Sequence, residues 1–250
     1  MNIEAKDLSK VYGSGENRVV ALDHADLDIV SSDFISIMGP SGSGKSTLLH
    51  LLSGLDRPTS GSLTYDGKDI YSYSDKELSA FRRKRIGFIF QQFNLLPVLT
   101  AKENIIMPLL LDKKQPDEAY LKQLTELLGI QGRLDHLPHE LSGGQQQRVA
   151  IARALMQQAK VILADEPIAS LDPESARIVM DTLRDINQND GITVVVTLHQ
   201  VDYALRYCER IVALRQGHVF YDGSSQQFDN ERFDHLYRSI NRIEENAKAA

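Results

Sequence analysis

The sequence predicts an α/β fold with a largely parallel sheet, an added antiparallel β layer and an inserted helical segment. Three observations support this prediction. Short apolar stretches of four or five residues alternate with helix-like stretches along much of the chain. A glycine-rich loop at residues 39–44 separates one such strand from a helix, and the middle of the chain is mostly helical in pattern.

The buried strands are predicted from runs of β-branched and other apolar residues bounded by polar or glycine positions. Strands of the main sheet are expected at residues 34–38, 86–90, 161–164, 193–197 and 211–214. Residues 3–11, 25–30 and 62–65, near glycine-rich turns, are expected to form the antiparallel layer. Helices are expected at 45–53, from 101, at 117–128, from 142, and from Pro173 to about 189.

These elements suggest three parts. Residues 1–94 and 159–224 are expected to form an α/β core with the β layer, and residues 95–158 a helical subdomain. Residues 225–250 are expected to be a helical tail, because Phe228, Phe233, Leu236, Tyr237 and Ile240 follow a helix-like spacing.

Composition limits the possible function classes. With 250 residues, 42% of them hydrophobic, the chain can bury a sizeable core. The net charge of −6 makes nucleic acid an unexpected partner, and the single cysteine, Cys208, fits a reducing compartment. The first residues lack a signal-peptide core, and no stretch reaches the roughly 18–20 apolar residues that span a bilayer. Any membrane process would need another chain to cross the membrane.

The glycine-rich loop matches the phosphate-binding pattern G-x-x-x-x-G-K-[ST]. Its residues are Gly39, Pro40, Ser41, Gly42, Ser43, Gly44, Lys45, Ser46 and Thr47. Glycines let backbone N–H groups face phosphate oxygens, and the following helix contributes its positive end. Lys45 is expected to reach the outer phosphates and the Ser46 hydroxyl to bind Mg²⁺. The alternative is a chance glycine turn, which the strand before it and the helix after it make a poor explanation.

A predicted strand at residues 161–164 ends in two carboxylates, Asp165 and Glu166. Beside a phosphate loop, Asp165 would hold Mg²⁺ through water, and Glu166 would orient the water that attacks the γ-phosphate. Taken alone, the same residues would also fit a strand with a solvated acidic end.

A second phosphate-binding surface is predicted about 100 residues after the first. Ser142 can cap a helix, while Gly143 and Gly144 expose backbone N–H groups at its positive end, followed by Gln145. A helix start with a flexible entry is the alternative interpretation.

In this order, the phosphate loop, the Leu-Ser-Gly-Gly-Gln segment and the Leu-Ala-Asp-Glu segment resemble the ATPases of ATP-binding-cassette (ABC) transporters over nearly the whole chain. The resemblance implies that Tyr12 stacks on adenine. It also implies that Gln91 touches Mg²⁺ at the junction of the core and the helical subdomain. It also implies that Asp172 lies in a loop at a dimer interface and that His199 contacts the γ-phosphate. Tyr12, Gln91 and His199 each have a plainer alternative: a half-buried strand tyrosine, a solvated glutamine, or a surface histidine.

The resemblance further implies a P-loop NTPase (RecA-like) core and catalysis by Glu166, His199 and Lys45, with ATP and Mg²⁺ as cofactors. Metal contacts are expected from Ser46, Gln91 and Asp165. Two subunits would sandwich two ATP molecules, with the phosphate loop of one facing residues 142–145 of the other. The helical segment would dock transmembrane subunits. The chain is accordingly expected in the cytoplasm, peripheral on the inner face of the membrane.

The two parts of the chain resemble different ABC groups. Residues 1 to about 140 resemble the lipoprotein-release and macrolide-export ATPases, in segments 11–16, 55–61 and 86–97. Residues from about 141 resemble the phosphonate-import ATPase, in segments 154–160, 165–172 and 197–203. This pattern suggests a fusion joined within residues 141–155, with reduced stability. The alternative is a natural subfamily that mixes both sets of features.

Other function classes have weaker support. A non-transport ABC ATPase of DNA repair would carry a long coiled-coil insertion, and one of translation would carry two cassettes. A non-catalytic nucleotide-binding regulator would be expected to lack Glu166 or His199, which are both present. A P-loop kinase would not need the Leu-Ser-Gly-Gly-Gln segment.

Overall fold

A computed structural model describes residues 1–229 and 231–237 of the chain. Strands occupy β1 (Ile3–Tyr12), β2 (Val19–Ile29), β3 (Phe34–Met38), β4 (Ser60–Tyr65), β5 (Lys68–Asp69), β6 (Ile86–Ile89), β7 (Val161–Ala164), β8 (Thr193–Thr197), β9 (Arg210–Arg215) and β10 (His218–Ser224). Helices are α1 (Lys45–Leu52), α2 (Asp75–Arg85), α3 (Ala101–Leu111), α4 (Glu118–Leu127), α5 (Gly143–Met156), α6 (Pro173–Asp190) and α7 (Val201–Tyr207). The predicted α/β class is confirmed.

The main sheet has six strands in the order β10-β9-β3-β8-β7-β6, and all pairings except the antiparallel β10–β9 edge are parallel. The second sheet, β2-β1-β4-β5, is antiparallel. Because parallel strands end at the same edge, the segments after β3, β6, β7 and β8 meet there.

Alternating side chains of β3 contribute to two different hydrophobic cores. Ile35 and Ile37 pack in a core with the antiparallel layer, whereas Phe34 and Met38 face the core shared with the helices. Helix α1 lies in the first of these cores, with Leu48, Leu49, Leu51 and Leu52 fully buried. The helix that starts at the phosphate loop is therefore held between the two sheets.

Several predicted boundaries were wrong. Strand β2 starts at Val19 rather than at residue 25, and β6 ends at Ile89, one residue early. Helices α2 and α7 and strand β10 were not anticipated. In α2 only Leu78 is buried, so the sequence carries no apolar stripe that would reveal the helix.

The cap that the sequence predicts at Ser142 is present, and α6 is capped at both ends. The side chains of Ser142 and Asp172 accept hydrogen bonds from the first turns of α5 and α6, and Gly191 ends α6 with φ 62°. Proline at the first position of α6 fits its fixed backbone angle.

The C-terminal region packs on the helical side of the core. Phe228 and Leu236 are buried there, and residues 231–237 are helical. Ile240 and the rest of the predicted tail from residue 238 lie outside the described residues, and the three-part division of the chain stays a prediction.

Strand β6 and helix α5 approach each other at Gly87. A Cβ atom at this position would lie 2.9 Å from the Cβ of Ala154. Gly87→Ala should therefore lower the free energy of unfolding by about 1–3 kcal/mol, because two packed elements must separate. Urea titration would measure the change.

Gly132→Ala is the matched control, because a Cβ at Gly132 meets no atom within 4 Å. Equal urea midpoints for the Gly87→Ala variant and the control would contradict the close packing of β6 against α5 at Gly87.

Candidate nucleotide site

The phosphate loop follows the carboxyl end of β3 and leads directly into α1. Its three glycines, Gly39, Gly42 and Gly44, have φ angles of 146°, 75° and 104°. A side chain at Gly44 would also approach the carbonyl oxygen of Ala21 to 2.3 Å. Only glycine meets both conditions, so the sequence pattern and the loop conformation agree.

Lys45 is folded back into the loop. Its ammonium donates hydrogen bonds to the carbonyl oxygens of Gly39 and Pro40, at 2.9 and 3.0 Å. Burial lowers the pKa of Lys45, while Glu166 and Asp165 act in the opposite direction. A buried cation whose hydrogen bonds to the described residues go to carbonyl oxygens is well suited to bind an anion such as phosphate.

Asp165 links the phosphate loop to the neighbouring strands. Its Oδ1 accepts hydrogen bonds from the Ser46 hydroxyl at 3.2 Å and from the Thr197 hydroxyl at 2.8 Å. The Thr197 hydroxyl also accepts a 2.7 Å hydrogen bond from the backbone N–H of Glu166. Sequence reasoning missed Thr197, although its place two residues before His199 offered a signal.

Glu166 has contacts on both of its carboxylate oxygens. Oε1 lies 2.5 Å from Nε2 of His199, and Oε2 accepts a hydrogen bond from the Gln91 amide at 3.0 Å. Its backbone has φ 48°, a conformation that costs free energy for a residue with a Cβ. The structure thus brings together Gln91, Glu166 and His199 from the ends of three strands.

Glu166 and His199 line an open cavity of about 400 Å³. The loop contributes Ser41, Gly42, Gly44, Lys45, Ser46 and Thr47, opposite Glu166 and His199. Val19 and Ala21 of β2 form a further wall that the sequence did not predict, because β2 was expected to start later. In the same loop, the buried Ser43 hydroxyl has no hydrogen-bond partner among the described residues.

The residues at the phosphate loop fit Mg²⁺ and a triphosphate as ligands. Ser46 and Asp165 place two oxygen atoms side by side at the loop, and oxygen is the ligand that Mg²⁺ prefers. The Gln91 side chain, predicted as a metal contact, instead donates its amide hydrogen to Glu166.

Tyr12 lies at the end of β1 with 40% of its surface exposed, opposite Val19 in the β1–β2 pairing. Because Val19 lines the cavity, the ring lies beside the phosphate loop. The structure therefore places Tyr12 next to the predicted nucleotide site.

The predicted second phosphate-binding surface lies elsewhere. Ser142, Gly143, Gly144 and Gln145 form the start of α5, with a reciprocal capping box between Ser142 and Gln145. A Cβ at Gly144 would approach the Ser175 hydroxyl of α6 to 2.7 Å, but none of these four residues lines the phosphate-loop cavity.

Asp172 caps α6 close to this second surface. Hydrogen bonds from Ser175, followed by that from Glu174, hold the pKa of the Asp172 carboxyl below its usual range. Asp172 is likewise absent from the residues that line the cavity.

The sequence matches the family model described as ABC transporter over residues 22–169. It is 59% identical to the "Phosphonates import ATP-binding protein PhnC" of Shigella boydii, with 99% of this chain and 98% of the relative covered.

Two solved structures resemble the fold. One is a dimeric post-hydrolysis state of the ATP-binding cassette MJ0796 bound to ADP and Pi, with a TM-score of 0.82 and 42% identity. It covers 89% of this chain and 98% of that one. The other is cbiO1 of Clostridium perfringens, part of the transporter complex cbiONQ, with a TM-score of 0.79 and 27% identity over 97% of this chain and 98% of that one.

The expected fusion gains no support from these comparisons. One kind of relative spans both parts of the chain, and the family match runs across residues 141–155, where the join was expected. The chain belongs to the ABC transporter family, as one of its ATP-hydrolysing subunits.

Proposed function

We propose that this chain is the ATP-hydrolysing subunit of a transporter that imports phosphonates. The observation that carries the proposal is the 59% identity to a phosphonate-import ATP-binding protein across 99% of the chain. Both parts of the chain take part in that match. For this reason we infer the transport direction from the whole-chain relative rather than from the export-like segments near the N-terminus.

The phosphate loop is assigned to the ATP phosphates. Its glycines have the positive φ angles that let backbone N–H groups face phosphate oxygens, and Lys45 would exchange its loop carbonyl partners for phosphate oxygens. Ser46 and Asp165 would hold Mg²⁺, which would neutralise charge on the β- and γ-phosphates. Gln91 would join them after leaving Glu166.

We assign the hydrolytic step to Glu166. Its carboxylate lies at the cavity wall between His199 and Gln91, where it can orient a water molecule in line with the γ-phosphate. His199 would stabilise the negative charge on the γ-phosphate as the bond to the leaving ADP breaks.

A second copy of the chain is needed to complete this site. The helix start at residues 142–145 carries the features of a phosphate-binding surface but does not line the cavity of its own chain. In a head-to-tail dimer it would face the γ-phosphate bound by the partner, with Asp172 at the interface. ATP would then favour the closed state because only that state contacts it from both sides.

A groove between the main sheet and the helical segment is proposed to dock the membrane-spanning subunits. It has a volume of about 400 Å³, and its apolar lining includes Phe88, Phe90, Met107 and Leu111. Gln91 follows Phe90 directly, so it can couple the nucleotide site to this groove. Within residues 1–229 and 231–237, no helix is long and apolar enough to cross a membrane. The chain would act at the cytoplasmic face, bound to its partners.

Glu166→Gln should reduce ATP turnover by at least about 100-fold while ATP still binds, because the amide cannot accept a proton from water. Phosphate release at saturating ATP measures the turnover, and fluorescent-nucleotide displacement measures the binding. Glu126→Gln, a change at an exposed glutamate of α4, serves as the control. Turnover within twofold of the wild-type value in Glu166→Gln would overturn the assigned role.

The import function can be tested by growth. A bacterium that lacks its own phosphonate-import ATPase subunit should grow on a phosphonate as sole phosphorus source when it expresses this chain. The Lys45→Ala variant should not support growth, because the loop loses its cation. Growth should also fail if the membrane subunits of that transporter are deleted. Wild-type expression with confirmed ATPase activity but no growth would contradict phosphonate import by this pairing.

A further inference from the structure

A small polar cluster lies behind the Tyr12 ring. It consists of Lys10 and Tyr12 from β1 and Asp56 from the segment between α1 and β4. Neither Lys10 nor Asp56 lines the phosphate-loop cavity, so neither has a part in the phosphate chemistry proposed above.

One carboxylate binds both of the other side chains. The Tyr12 hydroxyl donates to Oδ2 of Asp56 at 2.7 Å, and the Lys10 ammonium donates to Oδ1 at 2.7 Å. The backbone N–H of Arg57 also donates to Oδ1, at 2.7 Å. Burial raises the pKa of Asp56, but these hydrogen bonds outweigh it and hold the pKa below its usual range. The carboxylate is therefore an ionised acceptor at neutral pH.

The Lys10 ammonium also covers one face of the Tyr12 ring. It lies 4.8 Å from the ring centroid, within cation–π distance, and only 13% of the lysine side chain is exposed. A second hydrogen bond, to the carbonyl oxygen of Arg57 at 2.7 Å, fixes the ammonium there. Stacking of a base is therefore left to the opposite ring face.

Asp56 is attached to the helix that carries the phosphate loop. Its backbone N–H donates to the carbonyl oxygen of His50 in α1 at 3.2 Å, and its own carbonyl oxygen accepts a 3.1 Å hydrogen bond from Tyr71. The first residue of α1 is Lys45. The ring and the phosphate loop are thus connected to opposite ends of one buried helix.

Resting on the proposed ATPase function and on adenine stacking by Tyr12, we propose that Asp56 and Lys10 are positioning residues for the nucleotide base. They hold the Tyr12 ring in one orientation, at a fixed distance from the phosphate loop. A ring that is already oriented loses less freedom when the base binds. Without the carboxylate the ring can rotate, so binding of the base should weaken while binding of the phosphates does not.

The test compares ATP with inorganic tripolyphosphate, which has the phosphates but no base. In the full chain, Asp56→Ala should raise KM for ATP about three- to tenfold, as part of the stacking contribution is lost. The effect on kcat should be smaller than the effect on KM, and Kd for magnesium tripolyphosphate should stay within twofold of the wild-type value.

Tyr12→Phe should also raise KM for ATP. The double variant should be no worse than the more affected single variant, because both changes remove the same contact.

Asp33→Ala is the matched control. Asp33 has a side chain 22% exposed, against 28% for Asp56, and an ion pair with Arg210 at 3.5 Å, but does not line the cavity. KM for ATP should not change in this variant. If Asp56→Ala does not fold, Asp56→Asn should show a smaller rise in KM with the same dependence on the Tyr12 hydroxyl.

Three outcomes would overturn the proposal. Additive effects of Asp56→Ala and Tyr12→Phe would show that Asp56 does not act through the ring. Equal losses of ATP and tripolyphosphate binding would show that it supports the phosphate loop instead. An unchanged KM in Tyr12→Ala would refute stacking itself, whereas absence of ATP hydrolysis in the wild-type chain would refute the proposed function.

Discussion

Parallel pairing of β3, β7 and β8 places the phosphate loop and the acidic residues at one edge of the sheet. The register pairs Ala164 with Val196, so that Thr197 stands beside Asp165 and can bridge it to the backbone of Glu166. If the strands paired one residue out of step, the Thr197 hydroxyl would lie on the other face of the sheet. The chemistry of the site thus depends on the sheet register.

The antiparallel layer also contributes residues to the nucleotide site, from the other side of α1. It buries α1 against the main sheet, its strand β2 brings Val19 and Ala21 to the wall of the cavity, and its strand β1 places Tyr12 beside that wall, opposite Val19. Nucleotide base and phosphates would therefore be bound by two layers that share one helix. The start of α5 contributes nothing to this cavity within the same chain.

Local sequence patterns predicted the parts of the site that lie on single segments. The phosphate loop, Asp165 and Glu166 were located because each follows a short buried strand. The roles of Thr197 and Val19 depend on strand pairing, which the sequence does not encode locally. The strained backbone of Glu166 is also set by its surroundings, since glutamate does not favour φ 48°.

Two further features of the fold depart from local sequence preference. Ser32 has φ 70°, where glycine is usual, and the hydrogen bonds that its backbone N–H and hydroxyl donate to Thr193 and Gly191 hold it there. The helix α2 has a single buried residue, so it is fixed by its capping box and its surroundings rather than by an apolar stripe.

In the proposed mechanism a second chain completes the ATP site. This completion is tested most directly by light scattering after size-exclusion chromatography of the Glu166→Gln variant, with and without ATP. We expect the mass of one chain without ATP and of two chains with it. Adding Ser142→Arg should abolish the shift without preventing ATP binding. A single-chain mass at saturating ATP, with binding confirmed separately, would contradict completion of the site by a second chain.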